Sequence, residues 1–173
     1  MTAAKMPMNN GESTEYHEAQ YFRQVWWVML IILGAAVLMW WGFIQQIIVG
    51  EPWGTDPAPD WIMWLLWLFA GIGLPLLFGV MGLIVEVHND RLQIRYVPLT
   101  QQMIMWDEIG RVTVHTYKPI RQFGGWGIRG SGKHRAFSVK GNRGVELSLK
   151  DGRHILIGSQ NPEDLALAIE SKL

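Results

Sequence analysis

The stretch with the densest chemical content is 118–135, KPIRQFGGWGIRGSGKHR. It holds Lys118, Arg121, Arg129, Lys133 and Arg135, no acidic residue, His134, five glycines and the aromatic pair Phe123 and Trp126. Glycines such as Gly124 and Gly125 let backbone N–H groups turn toward an anion, while Arg and Lys supply the charge. The chemistry this predicts is contact with an anion: the head of an anionic lipid, or an acidic patch on a membrane-bound protein, with Trp126 entering the interface. The same residues also fit a tightly folded loop in which Trp126 plugs a core and the cations only mark the cytoplasmic side of a membrane. The run lacks the GxxxxGK[ST] spacing and does not lead into a helix, so a nucleotide phosphate loop is not expected.

Little else in the chain suggests bond-making chemistry. With no cysteine, thiolate metal sites, disulfides and cysteine nucleophiles are excluded. His17, His88, His115, His134 and His154 show no i, i+4 pair, and metal sites need clustered donors. Asp107 and Glu108 are neighbours whose side chains diverge on an extended backbone, so they read as turn or salt-bridge residues rather than an acid–base pair. No GxSxG elbow is present. The expectation is a protein that is not an enzyme, with no cofactor, no metal and no nucleic-acid partner.

The elements that must position the basic segment begin with two apolar runs. Residues 24–50 and 61–85 carry no charged side chain, and about 20 apolar residues suffice to cross a bilayer core as a helix. The predicted organisation is a polar N-terminal tail over 1–22 and a transmembrane hairpin over 23–85. The hairpin's helices span about 23–49 and 61–84, its outer loop 50–60, and a cytoplasmic domain follows over 86–173. The long polar lead argues for a retained anchor rather than a cleaved signal. Residues 51–60 contain three acids and no Lys or Arg, while Arg23 precedes the first span and Arg91 and Arg95 follow the second. The positive-inside rule then puts both termini in the cytoplasm, at the cell (inner) membrane. Net charge is zero overall, yet residues 1–84 carry two basic and six acidic side chains, and the remainder is correspondingly basic.

Within the second span, Trp61, Trp64 and Trp67 recur at helical spacing beside Gly71. The stripe fits lipid or helix packing, and it also fits a face for a partner membrane protein or a pigment; a larger membrane complex or a homo-oligomer is the partner expected besides the bilayer. Pro75 predicts a kink. Neither span holds an ionisable residue, which argues against a transporter or pump.

Beyond position 85 the apolar period becomes two, the mark of half-buried antiparallel strands. Seven are predicted: 84–88, 91–98, 102–106, 110–117, 134–140, 144–150 and 153–158. Asn89-Asp90 and Asp151-Gly152 supply turns between them. A closing helix is signalled by Asn161 as N-cap, Pro162 at the first position, acids in the first turn, and Leu165, Ala168 and Ile169 on one face.

Three stretches carry a resemblance: 96–109, ending Trp106-Asp107-Glu108-Ile109; 123–129, FGGWGIR; and 141–159, from Gly141-Asn142-Arg143-Gly144 through Asp151-Gly152 to Gly158-Ser159. Together with the element order, they resemble prokaryotic membrane proteins in which a bacterial pleckstrin-homology-like (PH-like) domain follows two transmembrane helices. The resemblance implies an α+β membrane protein with a seven-stranded antiparallel PH-like barrel or sandwich capped by a C-terminal helix. It implies no established activity. The functional expectation is a membrane-anchored binding or adaptor protein. The alternative is an accessory or assembly subunit of a larger membrane complex, photosynthetic or respiratory.

Overall fold

The structure is a computed structural model that describes residues 14–173. The first thirteen positions of the predicted tail lie outside the described residues. The chain forms two compact units, 20–82 and 14–19 together with 83–173.

In the first unit, helix α1 spans Trp26–Val49 and helix α2 spans Asp60–Val80, both long and apolar enough to cross a membrane. The core helix of a water-soluble protein would bury most of such a span. Here only 17% and 11% of the most apolar windows are buried, and Leu30, Ile31, Val37, Leu38, Leu68 and Phe69 all point outward.

Each helix widens into a π-helical stretch, Ile44–Val49 in α1 and Trp67–Gly73 in α2. The second has a visible cause. Pro75 has no N–H to return to the Gly71 carbonyl one turn back, and its ring crowds that carbonyl. Just before it, the Leu74 N–H reaches the Phe69 carbonyl, a five-residue step. The Gly71 carbonyl instead accepts the Trp40 indole N–H at 3.2 Å. A backbone group freed in an apolar span needs such a partner.

Aromatic rings join the two helices. Phe43 stacks on Trp67 at 4.4 Å and meets Trp64 edge-on at 4.7 Å, while Trp40 meets Trp67 edge-on at 5.1 Å. Gly42 is required because the Trp53 ring lies 2.5 Å from where a Cβ would stand. Gln46 Nε2 donates to the Ala58 carbonyl at 2.7 Å and to Asp60 Oδ1 at 2.9 Å, tying the connection to the start of α2.

The other unit is β-rich, so the chain is α+β. Among the described residues nine strands stand where the sequence predicts seven, in two sheets with no closed barrel. The first sheet has the order β1-β2-β3-β4, comprising β1 (Tyr16–Tyr21), β2 (Gly82–Val87), β3 (Arg91–Val97) and β4 (Thr100–Met105). The second has the order β5-β8-β9-β7-β6, with β5 (Ile109–Thr116), β6 (Gly127–Ser131), β7 (His134–Ser138), β8 (Arg143–Leu149) and β9 (His154–Gly158). Short helix α3 (Pro119–Phe123) follows β5, and α4 (Pro162–Glu170) closes the chain.

Two strands depart from the sequence reading. β1 lies where a polar tail is expected. It is held because Glu18 and Gln20, its inward side chains, are buried. The Glu18 carboxylate accepts hydrogen bonds from Ser159 Oγ at 2.6 Å, the Gln160 N–H at 2.7 Å and the Tyr16 hydroxyl at 2.8 Å. β6 lies inside the expected basic loop, as the outer strand of a hairpin with β7. The sheet is also not wholly antiparallel, because β7 and β9 run parallel. The turn at Gly141-Asn142 carries β8 across to pair with β5, and β9 returns into the gap between β8 and β7.

Alternation works as predicted in β3 and β8, but not in β5, where Val114 is exposed, nor in β7 and β9, where consecutive residues 136–138 and 155–158 are buried. Leu92, Ile94 and Tyr96 of β3 are buried, as are Val145, Leu147 and Leu149 of β8. Tyr96 reaches from the first sheet to the second, its hydroxyl donating to the Ser138 carbonyl at 3.2 Å. Leu165 and Ile169 bury the inner face of α4 against β5 and β8. Its lead-in is tied differently from the expected Asn161 cap: no side-chain cap bond forms there, and Ser159 Oγ accepts the Asn161 N–H at 3.0 Å.

Candidate anion-binding site

The segment 118–135 folds as a helix, a glycine turn and a β-hairpin. Pro119 opens α3, and Gly124 ends it in the left-handed region at φ 71°, where its N–H returns to the Ile120 carbonyl. Phe123 packs edge-on against Tyr117, closing a small core of Tyr117, Ala136 and Leu156. The β6–β7 hairpin depends on Gly130. Its φ is 78°, and a Cβ there would collide with the His134 carbonyl. Such a backbone is strained for any other residue.

This framework gives the predicted residues different fates. Lys118, Arg121, Arg129, Lys133 and Arg135 are all exposed. Among the described residues Lys118, Arg121, Lys133 and Arg135 have no carboxylate at ion-pair distance. Arg129 is turned back, its Nε donating to the Trp126 carbonyl at 3.1 Å. Trp126 is half-buried, and its indole N–H donates to the Gly141 carbonyl at 2.8 Å. Gly124 and Gly125 shape the turn after α3, and the Gly125 N–H bonds to the Pro119 carbonyl at 3.0 Å. In the membrane-type helices, Trp67 and Gly71 serve contacts within the hairpin, Trp64 touches Phe43 and Trp67, and Trp61 points outward with 64% of its surface exposed.

Several cations elsewhere on this unit are neutralised. Arg143 pairs with Glu163, and Arg153 with Asp151 at 2.5 Å and Glu108 at 3.3 Å. The Arg153 backbone N–H, then its guanidinium, hold the Asp151 carboxyl below the usual range. Glu163 is lowered by its own backbone N–H at the start of α4 and by Arg143. Burial pushes the phenols of Tyr16, Tyr96 and Tyr117 upward, and the Tyr16 and Tyr96 hydroxyls serve as hydrogen-bond donors. Among the described residues Arg111, Lys140 and Lys150 also lack a carboxylate partner, and what sets 118–135 apart is the clustering of four unpaired cations in one short segment without an acid, a surface that attracts anions.

One arrangement was beyond sequence reasoning. The parallel pairing of β7 with β9 puts His134 opposite His154, and the rings stack at 5.0 Å. His154 Nδ1 lies 3.4 Å from Glu146. Among the described residues no group of three or more His, Asp or Glu side chains is arranged to hold a metal ion.

A protein-family model described as a family of unknown function (DUF6141) matches residues 11–173, and the chain belongs to that family. Comparison with curated proteins found no match.

Proposed function

We propose that this family member is a membrane-anchored binding protein without enzymatic activity, whose β-rich unit contacts anionic lipid heads through residues 118–135. The observation that carries the reading is the set of exposed cations without carboxylate partners, Lys118, Arg121, Lys133 and Arg135, on a chain that also has two helices able to cross a bilayer. Each such cation contributes about 1 kcal/mol of attraction near an anionic leaflet. The inner face of the cell membrane is the location this supports: the connection at 51–60 lacks Lys and Arg, whereas Arg23, Arg91 and Arg95 flank the other helix ends. The two-sheet unit closed by a C-terminal helix is read as a PH-like domain enlarged by β1 and β6, and such folds serve many ligands.

Hydrogen exchange of the full chain in nanodiscs tests this. Exchange over 118–135 should slow when phosphatidylglycerol replaces part of a phosphatidylcholine bilayer. The slowing should vanish when Lys118, Arg121, Lys133 and Arg135 are all changed to Gln. Identical exchange in the two bilayers would refute the lipid reading.

A further inference from the structure

A cavity of about 190 Å³ opens between the two sheets, lined by Gln102, Gly132, Arg135, Arg153, His154 and Ile155. Its lining follows from strand register. Arg135 of β7 stands opposite Ile155 of β9, and Arg153 precedes Ile155 by two positions, so the three share one face. Ile155 is buried at the floor. His134 and His154 follow at alternate positions, where their rings stack, and His154 also lines the cavity. β4 of the facing sheet supplies Gln102, whose Oε1 is buried and without a hydrogen-bond partner. Gly132, at φ 62° in the β6–β7 turn, leaves the rim free of a side chain.

The two guanidiniums differ. Arg153 is fixed by Asp151 and Glu108, so its orientation is set in advance. Arg135 has no carboxylate partner among the described residues. Lys133, which follows Gly132 in the β6–β7 turn, is a further exposed cation without a carboxylate partner among the described residues. A planar fork without a partner suits a tetrahedral oxyanion. A buried amide oxygen without a partner costs stability until a ligand pairs with it. Turned over, the Gln102 amide would offer an N–H to the ligand; as it stands, its oxygen would accept from a protonated phosphate or a hydroxyl.

We propose that this mouth is a binding site for a phosphate group, held by the Arg135 guanidinium with Arg153, Gln102 and the turn at Gly132. The proposal rests on the reading of 118–135 as an anion-contacting surface, and it names a built site within that surface. The phosphate could belong to a lipid head or be free in solution, and the experiment separates these sources.

The full chain in neutral detergent micelles is titrated calorimetrically with inorganic phosphate and with glycerol 3-phosphate. Both should bind. Arg135→Gln should weaken binding by about tenfold or more, the scale of a lost charge-assisted bond, while Arg111→Gln, an exposed cation on β5 at the edge of the second sheet and outside the cavity, should change it less than about twofold. Gln102→Ala alters no charge and should also weaken binding, which guards against a folding defect at Arg135. If the source is a lipid head, phosphatidic acid doped into the micelles should compete with inorganic phosphate. If the source is free phosphate, it should not. Absence of phosphate binding, or equal losses for Arg135→Gln and Arg111→Gln, would overturn the site. Bilayer-dependent exchange over 118–135 that persisted in Arg135→Gln would then show the lipid surface surviving without it.

Discussion

Glu18 makes a quantitative test of how the β-rich unit is held together. It is 9% exposed, and its carboxylate accepts from Ser159 Oγ, the Gln160 N–H and the Tyr16 hydroxyl, all within 2.8 Å. These bonds fasten β1 to the link between β9 and α4, more than 140 residues away in sequence. In Glu18→Ala the Tyr16 hydroxyl, on a half-exposed residue, can turn to water. Ser159 is 3% exposed and cannot do so freely, and the Gln160 N–H loses a charged acceptor. Two bonds to a charged group at about 1.5 kcal/mol each give a loss of about 3 kcal/mol, a large share of the roughly 5–15 kcal/mol that stabilises a typical domain. Glu18→Gln keeps one acceptor oxygen and should lose about half as much. Because the chain has two units, global unfolding need not be two-state, and hydrogen exchange is the proper assay. Amides at 159–161 should exchange about a hundredfold faster in Glu18→Ala, since about 1.4 kcal/mol is tenfold. A change below about threefold would show that the carboxylate does not fasten this link, and the reasoning would fail.

Other expected outcomes are narrower. Trp40→Phe removes the donor to the Gly71 carbonyl, which Pro75 leaves without its helical partner. The loss, about 1 kcal/mol by membrane hydrogen-bond standards, should shrink in a Pro75→Ala background, as a double-mutant cycle in detergent would show. Gly42→Ala should lower thermal stability by about 1–3 kcal/mol because a Cβ meets the Trp53 ring; Gly34→Ala, with nothing within 4 Å, should not. Asp151 and Glu163 are lowered in the folded state, so the unfolded chain binds more protons in the carboxylate range. Stability should be fully present above the ordinary carboxylate pKa and be lost as pH falls through the lowered folded values. Asp151→Asn with Glu163→Gln should flatten that acid limb in thermal melts taken across pH.

The parts of the fold legible in sequence are those where side-chain pattern and burial agree. Leu92, Ile94 and Tyr96 alternate and are buried, Asp151-Gly152 turns between β8 and β9, and Pro162 opens α4. β1 gave no such signal because its inward residues are the polar Glu18 and Gln20, and two of the three donors to the Glu18 carboxylate lie more than 140 residues away. β6 was hidden by Gly127 and Gly130, whose positive φ reads as a loop and here serves a hairpin at the sheet edge. The cations of 118–135 were visible as a run. Their freedom from carboxylates was not, because it depends on where Glu108, Asp151 and Glu163 fold. The cavity was invisible for the same reason: Gln102 meets Arg135 and Arg153 only through the stacking of two sheets. In the apolar spans, composition announced the helices, but the pairing of Trp40 with Gly71 came from packing.

The central claim is that the two apolar helices carry the chain across a membrane and leave the β-rich unit on the cytoplasmic side. The chain has no cysteine, so single cysteines can be placed without background at Thr55, between the helices, and at Ser131, in the basic hairpin. In intact cells a membrane-impermeant maleimide should label Thr55→Cys, and it should reach Ser131→Cys only after permeabilisation. Labelling of Ser131→Cys in intact cells, with Thr55→Cys protected, would contradict the account.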